Sequence, residues 1–189
     1  MNRIRALTWL VSSLLALGVV VGPAAAAPPP APDTPTAASV DNVSTGLSHT
    51  CIVKPDASLW CVGDNKAGQL GDNTTTSRLN FVRIGAALSW SDVSAGGSHT
   101  CATTTAGALY CWGSNATGQL GTGNTTRSLV PVKIGALNGW SSISAGANHT
   151  CAINAGSIYC WGQNSNGQLG IGSTTNKSAP NKIGVATNW

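Results

Sequence analysis

The sequence predicts an all-β protein, a partial β-propeller of three four-stranded blades of about 50 residues each. Three observations carry that expectation: one long motif recurs three times at a fixed spacing, short apolar runs bounded by Gly, Asn and Thr lie inside each copy, and the composition is poor in helix-forming residues. Charged residues make up 8% of the 189, Glu is absent and Gly occurs 23 times, which excludes a coiled coil or helical bundle. Hydrophobic residues make up 42%, too many for ordinary intrinsic disorder. The formal net charge of +4 includes Arg3 and Arg5 at the extreme N-terminus; without them the excess halves and makes no electrostatic case for nucleic acid.

The N-terminal segment accounts for that basic end. Met1 to Arg5 form a positive n-region, an apolar run extends from Ala6 to Gly22, and Ala24 to Ala27 offer an A-x-A cleavage site. Residues 1–26 therefore read as a secretory signal peptide and the protein as extracellular, with no membrane attachment once the signal is cleaved. Thr8, Ser12 and Ser13 dilute an apolar run already at the short limit for spanning a bilayer. Residues 27–39, rich in proline and small residues, read as a stiff linker.

The repeats follow at residues 40–89, 90–139 and 140–188, and Trp189 falls where Trp90 and Trp140 open their units, as the start of a fourth. Each unit runs through a His-Thr-Cys (His49, His99, His149), a second Cys, and a Gly-Gln-Leu-Gly turn: Gly68 to Gly71, Gly118 to Gly121 and Gly167 to Gly170. A polar Thr/Asn loop and an apolar segment ending at Ile84, Ile134 or Ile183 close the unit. Four short strands per 50 residues is the arithmetic of a propeller blade.

Six cysteines in an exported chain predict disulfides. If the strands around Cys101 and Cys111 form a hairpin with Thr105-Ala106-Gly107 as its loop, the two cysteines stand directly opposite each other on one face; a two-residue loop, Ala155-Gly156, does the same for Cys151 and Cys160. The expected pairs are Cys51 with Cys61, Cys101 with Cys111, and Cys151 with Cys160, each contributing about 2.5 to 3 kcal/mol by loop-closure entropy.

Taken together, Ser-Ala-Gly-x-x-His-Thr-Cys-Ala and Leu-Tyr-Cys-Trp-Gly-x-Asn-x-x-Gly-Gln-Leu-Gly resemble the repeat of the regulator of chromosome condensation, a β-propeller family; the resemblance covers residues 40–188. The cysteine pair looks like the secreted bacterial branch of that family. Members usually have seven blades, so the resemblance implies either a fragment of a longer reading frame or several chains completing one ring, a homo-oligomer. It also implies binding to a protein or cell-surface polymer through loops on the propeller faces. Two further expectations rest on the resemblance alone: inhibition of an extracellular enzyme, as in a β-lactamase-inhibitor propeller, and the guanine nucleotide exchange of the eponymous nuclear member, which an exported chain disfavours.

Other constellations have simpler readings. One His per blade, beside cysteines committed to disulfides, suits a structural hydrogen bond better than a metal site, and no cofactor is called for. Ser91-Asp92 and Ser98-His99 suggest a triad, but Asn42 and Ser142 replace Asp92 in the other units, so the chain does not read as an enzyme. The Gly-Gln-Leu-Gly glycines lack the Lys-Ser/Thr of a phosphate loop and read as turns. Trp112, Trp161, Trp60, Tyr110 and Tyr159 read as blade packing. Arg78, Arg127 and Lys177 in the polar loops, with Arg83, Lys133 and Lys182 on the last strands, are the candidate contacts for an acidic partner.

Overall fold

A computed structural model describes residues 42–186 and 188; the expected signal peptide, the linker and Trp189 lie outside them. Twelve strands form three four-stranded antiparallel sheets, and no helix occurs among the described residues. The first sheet comprises β1 (Asn42–Thr45), β2 (His49–Val53), β3 (Leu59–Gly63) and β4 (Arg78–Ile84). The second comprises β5 (Trp90–Ala95), β6 (His99–Thr104), β7 (Leu109–Gly113) and β8 (Ser128–Lys133). The third comprises β9 (Trp140–Ala145), β10 (His149–Asn154), β11 (Ser157–Gly162) and β12 (Lys177–Lys182). Each sheet is a meander in chain order, the partial propeller that the repeat predicts.

The blades stack face to face. The inner strand β5 packs on β1 and β2, and β9 packs on β5 and β6. Alternation along the strands gives every blade two different faces. On one, Cys51, Val53, Leu59, Cys61 and Ile84 turn toward the second blade and meet Trp90, Val93, Ala102 and Trp112. The same joint recurs between Cys101, Leu109, Cys111 and Ile134 on the second blade and Trp140, Ala152 and Trp161 on the third. The hydrophobic core therefore lies between the blades. Pro131 and Pro180 fall on the outermost strands β8 and β12, where a missing N–H leaves no ladder bond unmade.

The cysteines pair as the hairpin geometry requires. Cys51–Cys61, Cys101–Cys111 and Cys151–Cys160 are directly opposed in the β2–β3, β6–β7 and β10–β11 ladders. All three pairs are disulfide-bonded, with Cα atoms 4.2, 4.1 and 4.1 Å apart. Each bond staples the two middle strands of its blade.

The hairpin loops differ in one telling detail. In the second blade the left-handed position is Gly107, at φ 73°. The first blade puts Ala57 there, at φ 60°, and the third puts Ala155, at φ 46°, ahead of Gly156. A left-handed alanine costs roughly 1 to 2 kcal/mol, part of which glycine returns to the flexibility of the unfolded chain. Ala57→Gly and Ala155→Gly are each expected to stabilise the protein by about 0.5 to 1 kcal/mol, measured as a higher urea midpoint at unchanged slope.

Candidate functional site

The three Gly-Gln-Leu-Gly turns are built around a buried asparagine. Asn65 Oδ1 accepts the Leu70 N–H at 3.0 Å, while its Nδ2 donates to Asp72 Oδ1 at 2.9 Å and to the Thr74 carbonyl at 3.0 Å. Asn115 accepts from Leu120 and donates to the carbonyls of Asn124 and Thr126, and Asn164 accepts from Leu169 and donates to those of Ser173 and Thr175. All three asparagines are buried. Each ties a turn to the polar loop that follows it, so the loops are shaped structures. Sequence reading passed over these side chains, although their recurrence four residues after the second Cys was the available signal.

The turns present their backbone to the next blade. The Gln69 carbonyl accepts the Thr100 hydroxyl at 2.8 Å and the Trp112 indole N–H at 2.9 Å. Gln119 does the same for Thr150 and Trp161, both at 2.9 Å. A Cβ on Gly71 or Gly121 would lie 2.6 or 2.7 Å from the Nε1 of these indoles, and both glycines have positive φ, so the position is closed to other residues twice over.

The recurrent histidines complete this clamp. His49 Nε2 lies 2.8 Å from Thr100 Oγ1, and His99 Nε2 lies 2.9 Å from Thr150 Oγ1. Each threonine gives its proton to a glutamine carbonyl, so the imidazole must be the donor, with its proton on Nε2. Nδ1 of His49 and of His99 is buried with no partner. Burial lowers the His49 pKa to about 4, with the Asp64 charge opposing. Burial, followed by the nearby His49 and His149, lowers that of His99 to about 3. Asp92 accepts from Asn42 and from the Val93 N–H, so it does not orient His99 as a triad would require.

The aromatic positions are joined rather than free. Trp90 meets Tyr110 edge-on at 5.6 Å and Trp112 at 6.0 Å, and Trp140 meets Tyr159 and Trp161 at 5.4 and 6.1 Å. Trp60 is half-exposed beneath the Lys54 ammonium.

The basic loop residues are not equivalent. Arg78 and Lys177 stand opposite Gly63 and Gly162, but Ser128 holds that register position opposite Gly113, and Arg127 comes one residue earlier. Arg78 is also engaged, with Nη2 2.6 Å from Asp72. Burial opposes ionisation of Asp72, but hydrogen bonds from Thr74, Arg78 and Asn65, and the Arg78 charge, outweigh it and hold the carboxyl below its ordinary range. Arg127 is exposed and reaches the Lys66 carbonyl of the first blade across a groove of about 430 Å³ lined by Lys66, Ser114, Asn115, Thr125 and Arg127. No carboxylate side chain follows Asp92 in the sequence, and among the described residues Arg127, Lys133, Lys177 and Lys182 form no ion pair. Arg83, Lys133 and Lys182 do repeat in register, opposite Trp60, Tyr110 and Tyr159.

The chain matches two family models. One described as the regulator of chromosome condensation (RCC1) repeat matches residues 56–103, 106–153 and 155–188, and a second of the same description matches 40–69, 90–119 and 140–168. The chain belongs to the RCC1 repeat family. The first frame begins between β2 and β3 and ends near β6, so an RCC1 repeat spans the joint between two blades. Among solved structures, Prp20p of Saccharomyces cerevisiae, described with its binding properties to Gsp1p and histones, superposes with a TM-score of 0.70 at 21% identity over 77% of this chain and 38% of that one. Yeast RCC1 (Prp20) bound to Kap60 gives 0.69 at 21% over 77% and 37%. This RCC1-repeat chain thus spans less than two-fifths of those proteins, and the likeness establishes the fold. No curated protein matches by sequence.

The buried histidines set the pH response. Both are neutral when folded and take up protons on unfolding below about pH 6.5, so their contribution is complete above that pH and is lost as pH falls toward 4 and then 3. Stability is expected to drop by up to about 1.4 kcal/mol per pH unit for each histidine, read from urea midpoints between pH 7 and 5. His99→Gln, which keeps a donor, is expected to flatten that slope.

Proposed function

We propose that this RCC1-repeat protein is an exported, non-catalytic binding scaffold that engages an acidic protein or cell-surface polymer with its polar loops. The observation that carries the reading is the uneven use of charge on loops of one design. In the first blade Asp72 neutralises Arg78. The groove between the first and second blades keeps Lys66 and Arg127 exposed with no carboxylate in its lining, and the second and third blades carry no acid after Asp92. Asn65, Asn115 and Asn164 hold the loops in place, which lowers the ordering cost of binding.

Long-range attraction of this kind favours encounter with anionic partners and weakens with salt. The solved relatives fit a protein-binding role in kind: Prp20p is described with Gsp1p and histones, and yeast RCC1 is bound to Kap60. Export is the compartment in which three disulfides form and persist.

Retention on immobilised polyglutamate at low salt is the direct test. Arg127→Glu with Lys66→Glu is expected to weaken it at least tenfold, whereas Arg78→Gln, which removes a cation already paired, is expected to change it less than twofold. Equal effects would reject the groove as the binding surface. N-terminal sequencing of protein recovered from the culture medium is expected to begin near residue 27; an intact Met1 would reject export.

A further inference from the structure

The connection from the second blade to the third is built differently from the one before it. Ile84 to Trp90 and Ile134 to Trp140 have equal length and both continue Gly-Ala, but Ala87-Leu88-Ser89 becomes Leu137-Asn138-Gly139. Leu88 is half-buried against the core of the first joint, and its N–H donates to the Gly85 carbonyl at 2.8 Å. Asn138 is exposed and makes neither contact among the described residues. Leu137 is 50% exposed, and a Cβ on Gly135 would meet nothing within 4 Å, where one on Gly85 would press on Trp90. The Trp90 indole N–H donates to the Ile84 carbonyl at 3.3 Å, whereas that of Trp140 is buried without a partner. The second connection is held near its ends: Ile134 N–H donates to the Leu109 carbonyl at 2.8 Å, Trp140 N–H to the Gly107 carbonyl at 3.0 Å, and Asn154 Nδ2 to the Asn138 carbonyl at 3.1 Å.

An asparagine followed by glycine carries an electrophile and a nucleophile side by side. The glycine backbone nitrogen closes on the side-chain amide carbon in a five-membered ring, and the missing Cβ leaves that approach open. The pair occurs twice in the sequence, at Asn138-Gly139 and Asn166-Gly167. The fold separates the two. Gly167 N–H donates to the Asn164 carbonyl and Asn166 N–H to Gln168 Oε1, both at 2.9 Å, in the turn fixed by the buried Asn164. Attack there requires the turn to open first. Gly139 N–H has no acceptor among the described residues, and a Cβ on Gly139 would meet only Asn154 Nδ2, at 3.9 Å.

We propose that Asn138-Gly139 is a self-modification site, at which the folded protein converts Asn138 to isoaspartate and loosens the joint between the second and third blades. Gly139 N bonds to Asn138 Cγ, the Cγ–Nδ2 bond breaks, and the amide leaves as ammonia with the Gly139 proton. Water then opens the ring. Addition at the original main-chain carbonyl gives isoaspartate, and addition at Cγ gives aspartate; nothing is oxidised or reduced. In isoaspartate the chain runs through Cβ and Cγ, one atom longer, and the carbonyl that receives Asn154 becomes a free carboxylate. The extra atom enters just ahead of Trp140, which the joint buries among Leu109, Cys111 and Ile134. It also brings a carboxylate to a part of the sequence that has none after Asp92. The reaction needs no partner and is independent of the groove between Lys66 and Arg127.

Peptide mapping of the full chain after incubation in neutral buffer made with heavy-oxygen water tests this. Label is expected at residue 138, with isoaspartate detected by isoaspartate-specific methylation, and at least tenfold slower at residue 166. In guanidinium chloride, where neither turn persists, the two rates are expected to agree within threefold. Aged protein is expected to unfold at a lower urea midpoint than fresh protein. Asn138→Gln, whose side chain would have to close a six-membered ring, is expected to keep its fresh midpoint on ageing. Fresh Asn138→Asp, which adds the charge without lengthening the main chain, is expected to fall less than the aged protein. Equal labelling of the two sites in the folded chain, a difference that persists in guanidinium, a midpoint unchanged by ageing, an equal fall in aged Asn138→Gln, or a fresh Asn138→Asp as unstable as the aged protein each overturns the proposal.

Discussion

Everything in this molecule depends on the contact between one blade and the next. A four-stranded sheet of short strands has two faces and no core of its own, and a single repeat of this kind cannot bury its hydrophobic face alone. Here the cysteine-bearing face of one blade is buried by the tryptophan-bearing face of its successor, and the largest buried apolar side chains of the first two blades belong to these joints. The polar part of the joint is as ordered as the apolar part. One glutamine carbonyl receives a threonine hydroxyl and an indole N–H, and the threonine in turn receives an imidazole N–H. Buried polar groups are tolerated at low cost only when paired, and the clamp pairs all but one ring nitrogen of each histidine.

The disulfides and the asparagines act one level below. A disulfide fixes β2 to β3 and its equivalents, the two strands whose register decides which side chains reach the joint. The buried asparagine fixes the turn whose carbonyl the next blade uses, and at the same time shapes the polar loop on the outside. A single side chain thereby couples the packing of the blades to the surface available for a partner.

Much of this was open to a reader of the chain alone, and particular residues show where the limit lay. Cys101 and Cys111 could be paired because a hairpin is local: ten residues of spacing and a glycine in the loop define the register. The partners of His49 and Asn65 could not, though for different reasons. His49 meets a threonine 51 residues away, across a joint that no local pattern describes. Asn65 lies within a motif whose glycines drew the attention, and three of its side-chain bonds run to backbone atoms, which carry no sequence label. The basic residues illustrate a third limit. Arg78 and Arg127 look alike in a list of loops, yet one is neutralised by Asp72 six positions away and the other stands one register position off, facing a groove.

Period, strand content, hairpin loops and disulfide partners are thus consequences of residues close together in the chain, and the amino-acid order suffices for them because short loops restrict the geometry. Which face of a blade is covered, which histidine is dry enough to stay neutral and which cation remains unpaired depend on contacts made across the joints. Those contacts come from residues some 50 positions apart, whose proximity follows from the stacking of whole sheets, so only the folded arrangement decides them.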